Sequence, residues 1–159
     1  RRSRGLGDVY KRQTLNKFDN EHGFANSRAR LRMTTLYQVA AANKGIVVGT
    51  GNKVEDFGVG FYTKYGDGGV DISPIADCNK TDVWELGNEL GILKEIIDAP
   101  PTDGLWDDGR TDEGQLGFKY EDLEDAMKNP NSPHRKEYEN IRNKNLHKME
   151  PIPVCKIPN

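Results

Sequence analysis

No run in the chain reaches the roughly 18 apolar residues that a membrane-spanning helix needs, and no secretory signal is visible. Cysteine is scarce. Cys78 and Cys155 stand far apart among the 159 residues, in a spacing that fits neither a zinc pattern nor a disulfide framework. They read as reduced thiols of a cytosolic protein. Charge of one sign is lacking as well. Lys and Arg number 23 against 25 Asp and Glu, a formal net charge of −2, which draws the chain toward neither nucleic acid nor an anionic membrane. The apolar share is only 35%, so a single domain or part of one, with a modest core, is expected. Neither standard phosphate loop, GxGxxG or GxxxxGK[ST], occurs.

What is present begins with "RRSRGLGDVYKRQ" (1–13), which is basic and unpatterned. It reads as a disordered tail or a non-native leader and is set outside the fold, with a nucleic-acid-binding arm as the rival reading. Asn26 can cap a helix through "SRARLRMTTLYQVAAANK", where Ala29, Met33, Leu36 and Ala40 recur at helical spacing and Gly45 closes the run. "IVVGT" (46–50) has the short β-branched character of a buried parallel strand, half of an α/β repeat. Residues 51–70, rich in glycine and charge, read as too polar and flexible for core. A helix is expected over roughly 79–90, a helical turn at 93–98, a loop over 99–114 and a short acidic helix over 120–127. A last helix over 132–148 would have Ser132 as N-cap and Pro133 in its first position.

The stretch "GTGNKVEDFGVGFYTKYGDGGVDISP" (49–74) raises the functional question, with seven glycines interleaved with Asp, Glu and Lys behind an apolar run. Ligands of open α/β sheets sit beyond the carboxyl ends of strands, where Gly49 and Thr50 fall. Thr50 can offer a hydroxyl and an N–H to a nucleotide. Glu55, five residues on, is a carboxylate of the kind that holds Mg²⁺ beside phosphate. Lys64, Asp67 and Asp71 add a cation and two acceptors. Taken singly, each is better explained as a turn residue or a solvated charge, and GDGG is an ordinary turn signal.

Taken together, these residues stand in an order that resembles the NAD⁺ synthetase family, in its ammonia-dependent short form. The resemblance runs over about residues 15–157. It is carried by AR (29–30), GT (49–50), Glu55, "TKYGDGG" (63–69), "NK" (79–80), "PT" (101–102), "DE" followed by "LG" and Tyr120, and "HK" (147–148). It implies an adenine-nucleotide α-hydrolase-like (Rossmann-like) parallel-sheet domain. It also implies ATP- and Mg²⁺-dependent amidation of deamido-NAD⁺ through an adenylated intermediate, with ammonia as nitrogen donor, in a cytoplasmic homodimer. By resemblance, Arg30, Lys64, Asp71, His147 and Lys148 contact deamido-NAD⁺. Thr50, Lys80 and Thr102 contact ATP, and Glu55 holds Mg²⁺. No single catalytic residue is singled out.

The family's SGGxDS pyrophosphate loop is not in the sequence. The expectation is therefore that residues 14–159 are the C-terminal part of one synthetase domain whose first strands and phosphate loop lie upstream, and that this chain is inactive alone. The alternatives are a non-catalytic, dimerising nucleotide-binding remnant and the synthetase part of a glutamine-dependent form. "GTGN" stands where some relatives carry "GTDH".

Overall fold

The computed structural model describes Phe18 and residues 20–157; the expectation for 1–13 lies outside the described residues. The first helix, α1 (Glu21–Ala42), begins five residues before the expected cap at Asn26. Asn20 is the N-cap, and its side chain accepts from the Gly23 N–H at 2.6 Å. Phe24, Ala25 and Ala29 bury its first half. The rest of the expected apolar stripe is only partly covered: Met33 and Ala40 are half-buried, and Leu36 is 56% exposed.

The strand expected at 46–50 is reduced to one parallel bridge, Val48 to Ile72. It is held by Gly49 N–H to Ile72 C=O (2.7 Å) and Asp71 N–H to Val47 C=O (2.9 Å). Parallel pairs draw their stability from burial on both faces, and here Ile46, Val48 and Ile72 remain exposed.

The larger correction concerns residues 51–70. A π-helical turn, Val54–Val59, lies here, and both of its valines are fully buried in the core with Tyr120, Leu123, Ala126 and Tyr138. The glycines around it serve close packing. A Cβ on Gly66 would meet that of Ala29 at 2.9 Å. Gly60, at φ +68°, sits where a Cβ would be 2.6 Å from that of Asn145.

The remaining helices are α2 (Lys80–Glu89), α3 (Lys94–Ile97), α4 (Asp112–Leu116), α5 (Tyr120–Lys128) and α6 (Arg135–Met149). Three match the expected positions closely. α4 interrupts the expected 99–114 loop because Thr111 caps it, accepting from the Gly114 N–H at 3.1 Å. α6 starts at Arg135 after His134, so Ser132 and Pro133 belong to the preceding turn, where Ser132 Oγ accepts from the His134 N–H. Tyr120 and Leu123 lie one turn apart on α5 and, with Ala126, face the π turn and α6.

α6 covers the π turn by answering its carbonyls. Arg142 donates to Phe57 and Gly58 C=O, Asn145 to Val59 C=O (2.9 Å), and Lys148 to Gly60 and Tyr62 C=O (2.8 Å each). The three positions recur every third residue on one face, so one helix flank satisfies carbonyls that the end of a short helix would leave bare.

Candidate functional site

Asn52 and Glu55 build the site from the backbone outward. Asn52 is buried, and its Oδ1 accepts from the N–H groups of Val54 (3.0 Å) and Glu55 (3.1 Å). Glu55 Oε2 makes only a long contact, 3.5 Å, back to the Asn52 N–H, so Asn52 and Glu55 bracket the start of the π turn. The Glu55 side chain is thereby aimed at α2 and α5. Its Oε1 takes an ion pair from Lys80 Nζ at 3.2 Å and the hydroxyl proton of Tyr120 at 2.6 Å. Lys80 opens α2 directly after Asn79, whose backbone N–H is bound by Asp82 in a capping box. Glu124 of α5 fastens the same turn through the Thr81 N–H and hydroxyl, at 3.1 and 2.7 Å.

These elements surround a cleft of about 520 Å³. Thr50, Glu55, Lys80 and Thr102, the three expected ATP contacts and the expected cation ligand, all line it. Thr102 uses its hydroxyl within its own loop, donating to Arg110 C=O at 3.1 Å and accepting from the Gly104 N–H. Asp112, the first residue of the DE motif, to which no role was assigned, joins them. It is buried, its Oδ2 lies 3.4 Å from the Tyr120 hydroxyl, and its Oδ1 is buried without a hydrogen-bond partner. Burial first, then the Glu55 and Asp103 carboxylates, push its carboxyl up to about 6, with Lys80 opposing. Burial similarly raises Asp56, to about 6, with Glu55 and Asp67 adding to it. Among the described residues, no group of three or more His, Cys, Asp or Glu side chains converges as a metal site.

The five residues expected to meet deamido-NAD⁺ divide. Arg30 donates to Lys64 C=O at 3.3 Å, and Lys64 Nζ donates to His147 C=O, so helix α1, the "TKYG" loop and the end of α6 are tied in series. Asp71 is used locally, accepting from the Val47 N–H at 2.8 Å and the Tyr37 hydroxyl at 3.2 Å. Tyr37 lies seven residues beyond Arg30, on the same flank of α1. His147 is exposed, whereas Lys148 is half-buried with its ammonium on two backbone carbonyls. Burial lowers the Lys148 ammonium below its usual value, against a pull upward from Asp67.

The segment expected as a loop over 99–114 is tethered to α1. Arg32 donates to Asp103 and Gly104 C=O, and Arg28 to Leu105 C=O, so two arginines one turn apart on α1 dock the loop after Pro101. The Arg110 guanidinium lies over the ring of Trp106 at 4.0 Å, with His22 edge-on at 5.3 Å.

Sequence reasoning missed the roles of Asn52, Asp112 and Tyr120. The signal for Asn52 was present as N-x-x-E. Nothing in "RTDEGQLGFKY" announces that Asp112 and Tyr120 converge on a residue more than 50 positions earlier.

The family model described as NAD synthase matches residues 6–157. The NH(3)-dependent NAD(+) synthetase of Carboxydothermus hydrogenoformans is 51% identical over 100 residues, 63% of this chain and 40% of that protein. Its counterpart in Alkaliphilus oremlandii is 42% identical over 135 residues, 84% of this chain and 53% of that protein. The NMN synthetase of Francisella tularensis superposes with a TM-score of 0.82 at 32% identity, over 96% of this chain and 63% of that one. This chain thus spans about half the length of the curated relatives it matches. With the family model covering nearly all of its length, the chain belongs to the NAD synthase family.

Proposed function

We propose that the protein to which this chain belongs is an AMP-forming ligase that amidates deamido-NAD⁺ to NAD⁺. One observation carries the reading: Thr50, Glu55, Lys80 and Thr102, scattered over 53 positions, line one cleft. The two relatives quoted above as NH(3)-dependent NAD(+) synthetases support ammonia as the nitrogen donor.

An ionised carboxylate is a poor electrophile. Its attack on the α-phosphate of ATP expels pyrophosphate and leaves an acyl adenylate. Ammonia then adds to the carbonyl carbon and releases one proton to solvent, AMP departs with the C–O bonding pair, and the amide remains. The protein's part is to bind, orient and neutralise. Lys80 supplies positive charge from the first turn of α2, where only an anionic partner makes a cation favourable. Glu55 is that partner in this structure, and phosphate oxygens are a second. Thr50 offers a hydroxyl and an N–H at the cleft edge. Arg30 and Lys64 present cations on the flank of α1, where the dinucleotide acid would lie with Asp71 and His147.

The donor set fits a hard cation such as Mg²⁺. Glu55 Oε2 has only its long contact to the Asn52 N–H, and Asp112 Oδ1 lacks a partner, so one oxygen of each carboxylate remains for a metal. When bound there, the ion would neutralise phosphate charge; Glu55 and Asp112 would hold it.

We further assign residues 14–159 to the C-terminal part of one synthetase domain, with a parallel sheet to which the Val48–Ile72 pair contributes, in a cytoplasmic homodimer. The sequence lacks the SGGxDS loop, so this chain supplies one wall of the ATP site. A second substrate reading, NMN-forming amidation, is favoured by the likeness to the Francisella tularensis NMN synthetase.

The test uses the chain itself with ATP, Mg²⁺ and ammonium, and either deamido-NAD⁺ or the mononucleotide acid. Calorimetry is expected to show binding of deamido-NAD⁺, lost in Arg30→Ala, without appreciable NAD⁺ formation. Turnover like that of a full-length relative would overturn the one-wall assignment. Binding of the mononucleotide acid alone would decide for the second reading, and no binding of either acid would sink both.

A further inference from the structure

We propose that Tyr120 is the positioning residue of the cleft: its hydroxyl and its ring together fix the Glu55–Lys80 pair, so that Glu55 Oε1 is occupied by protein and Oε2 is left for a cation. The proposal rests on the reading of Glu55 as a cation ligand. It extends that reading to a residue that touches no substrate.

The geometry sets Tyr120 apart from an ordinary core tyrosine. Its side chain is fully buried among Val54, Val59 and Leu123, a position that Phe would fill equally well for packing. A buried tyrosine hydroxyl needs a partner, and backbone carbonyls usually supply one. Here the hydroxyl instead crosses 65 positions of sequence to a carboxylate lining the cleft, at 2.6 Å. The ring serves the other member of the ion pair, with Lys80 Nζ over it at 4.9 Å from the centroid. Trp84 holds that ring edge-on at 6.1 Å.

The same residue reaches the third polar group of the cleft. Its hydroxyl is 3.4 Å from Asp112 Oδ2, and its backbone N–H donates to Glu113 Oε1 at 3.1 Å, which fastens α4. Three side chains from three separate segments are thus oriented against one rigid ring. A tyrosine hydroxyl has one proton to give, and the short distance assigns it to Glu55. With Oε1 accepting from both Tyr120 and Lys80, the carboxylate cannot rotate without breaking both contacts.

The probe is Mn²⁺ alone, titrated into the full chain and followed by electron paramagnetic resonance. Tyr120→Phe is expected to weaken Mn²⁺ binding about tenfold, the scale of one hydrogen bond to a charged group, with the melting temperature within a few degrees of wild type. Glu55→Gln is expected to weaken it at least as much. Wild-type affinity in Tyr120→Phe alongside loss in Glu55→Gln would overturn the positioning role and leave the cation reading standing. Failure of the wild-type chain to bind Mn²⁺ at millimolar concentration would overturn the cation reading, and the proposal with it. If Tyr120→Phe does not fold, proton NMR of the wild type decides. A slowly exchanging Tyr120 hydroxyl proton that shifts in Glu55→Gln supports the proposal, and a freely exchanging one overturns it.

Discussion

Lys80 Nζ lies 3.2 Å from Glu55 Oε1, and the two side chains are only 18% and 14% exposed. This pair gives Glu55 a structural duty that its polar sequence surroundings do not suggest. Removing one member leaves the other charge half-desolvated. Lys80→Met and Glu55→Gln are each expected to destabilise the fold by about 1–3 kcal/mol. The double variant should cost less than their sum, with a coupling of about 1–2 kcal/mol. Urea denaturation of the four proteins gives the cycle, and strict additivity would show that the pair is not coupled.

Gly60 and Gly109 both adopt positive φ, +68° and +71°, but differ in their surroundings. A Cβ at Gly60 meets the Asn145 Cβ at 2.6 Å and the Met149 Cε at 2.8 Å, while at Gly109 nothing lies within 4 Å. Gly109→Ala should therefore cost only the backbone strain, about 1 kcal/mol. Gly60→Ala should cost a further 1–3 kcal/mol, roughly, because α6 must shift. Thermal melts of the two variants compare the terms directly. Equal losses would mean that α6 gives way freely.

Much of this architecture could be read beforehand, and the failures have physical causes. α2 and α5 carry apolar residues at helical spacing, and their limits fall close to expectation. The sequence starts α1 too late because Gly23 lies inside its first turn and Asn26 is as good a cap by composition as Asn20. Val54 and Val59 do not read as core because they are isolated among charges and five residues apart. That spacing matches neither the helical nor the strand period, and it suits a π turn. The strand at 46–50 was read from its β-branched residues, a preference that reflects packing on neighbours more than the backbone itself. In the site, Thr50, Glu55, Lys80 and Thr102 were found through the family's order of motifs, since their separations in sequence carry no geometric signal. Asp112 and Tyr120 stand in the motif series, but their roles escape it because only the folded chain brings them to Glu55.

Asp112 should leave a pH signature in metal-free buffer. Its carboxyl is raised from the ordinary 3.8 to about 6, mainly by burial. The folded state then holds a proton that the unfolded state has already released. The stability tied to that proton is complete below about pH 4 and lost as pH rises through about 6. Between pH 4 and 7, the wild type should therefore lose roughly 2–3 kcal/mol relative to Asp112→Asn. Asp56, raised in the same direction, is present in both proteins and cancels in the difference. Calorimetric melts over this range, with chelator present, measure it. A constant difference would show that Asp112 stays ionised throughout.

Lys148 and His147 are adjacent, and their side chains face opposite fates. The Lys148 ammonium is engaged by Gly60 and Tyr62 C=O at 2.8 Å each, and the Tyr62 hydroxyl donates to Lys148 C=O at 2.6 Å. These bonds close the end of α6 onto the segment that leads to Lys64, whose ammonium donates to His147 C=O. Lys148 is thus expected to act on ligand binding through the placement of Lys64. Lys148→Met should remove two charge-assisted bonds and destabilise the chain by about 1.5–3 kcal/mol, whereas His147→Ala, at an exposed side chain, should stay within about 0.5 kcal/mol. If Lys148 works through Lys64, then Lys148→Met and Lys64→Met should weaken deamido-NAD⁺ binding by similar factors, and combining them should add little. Full additivity of the two in calorimetric titrations, with no loss of stability in Lys148→Met, would make Lys148 a direct ligand contact instead.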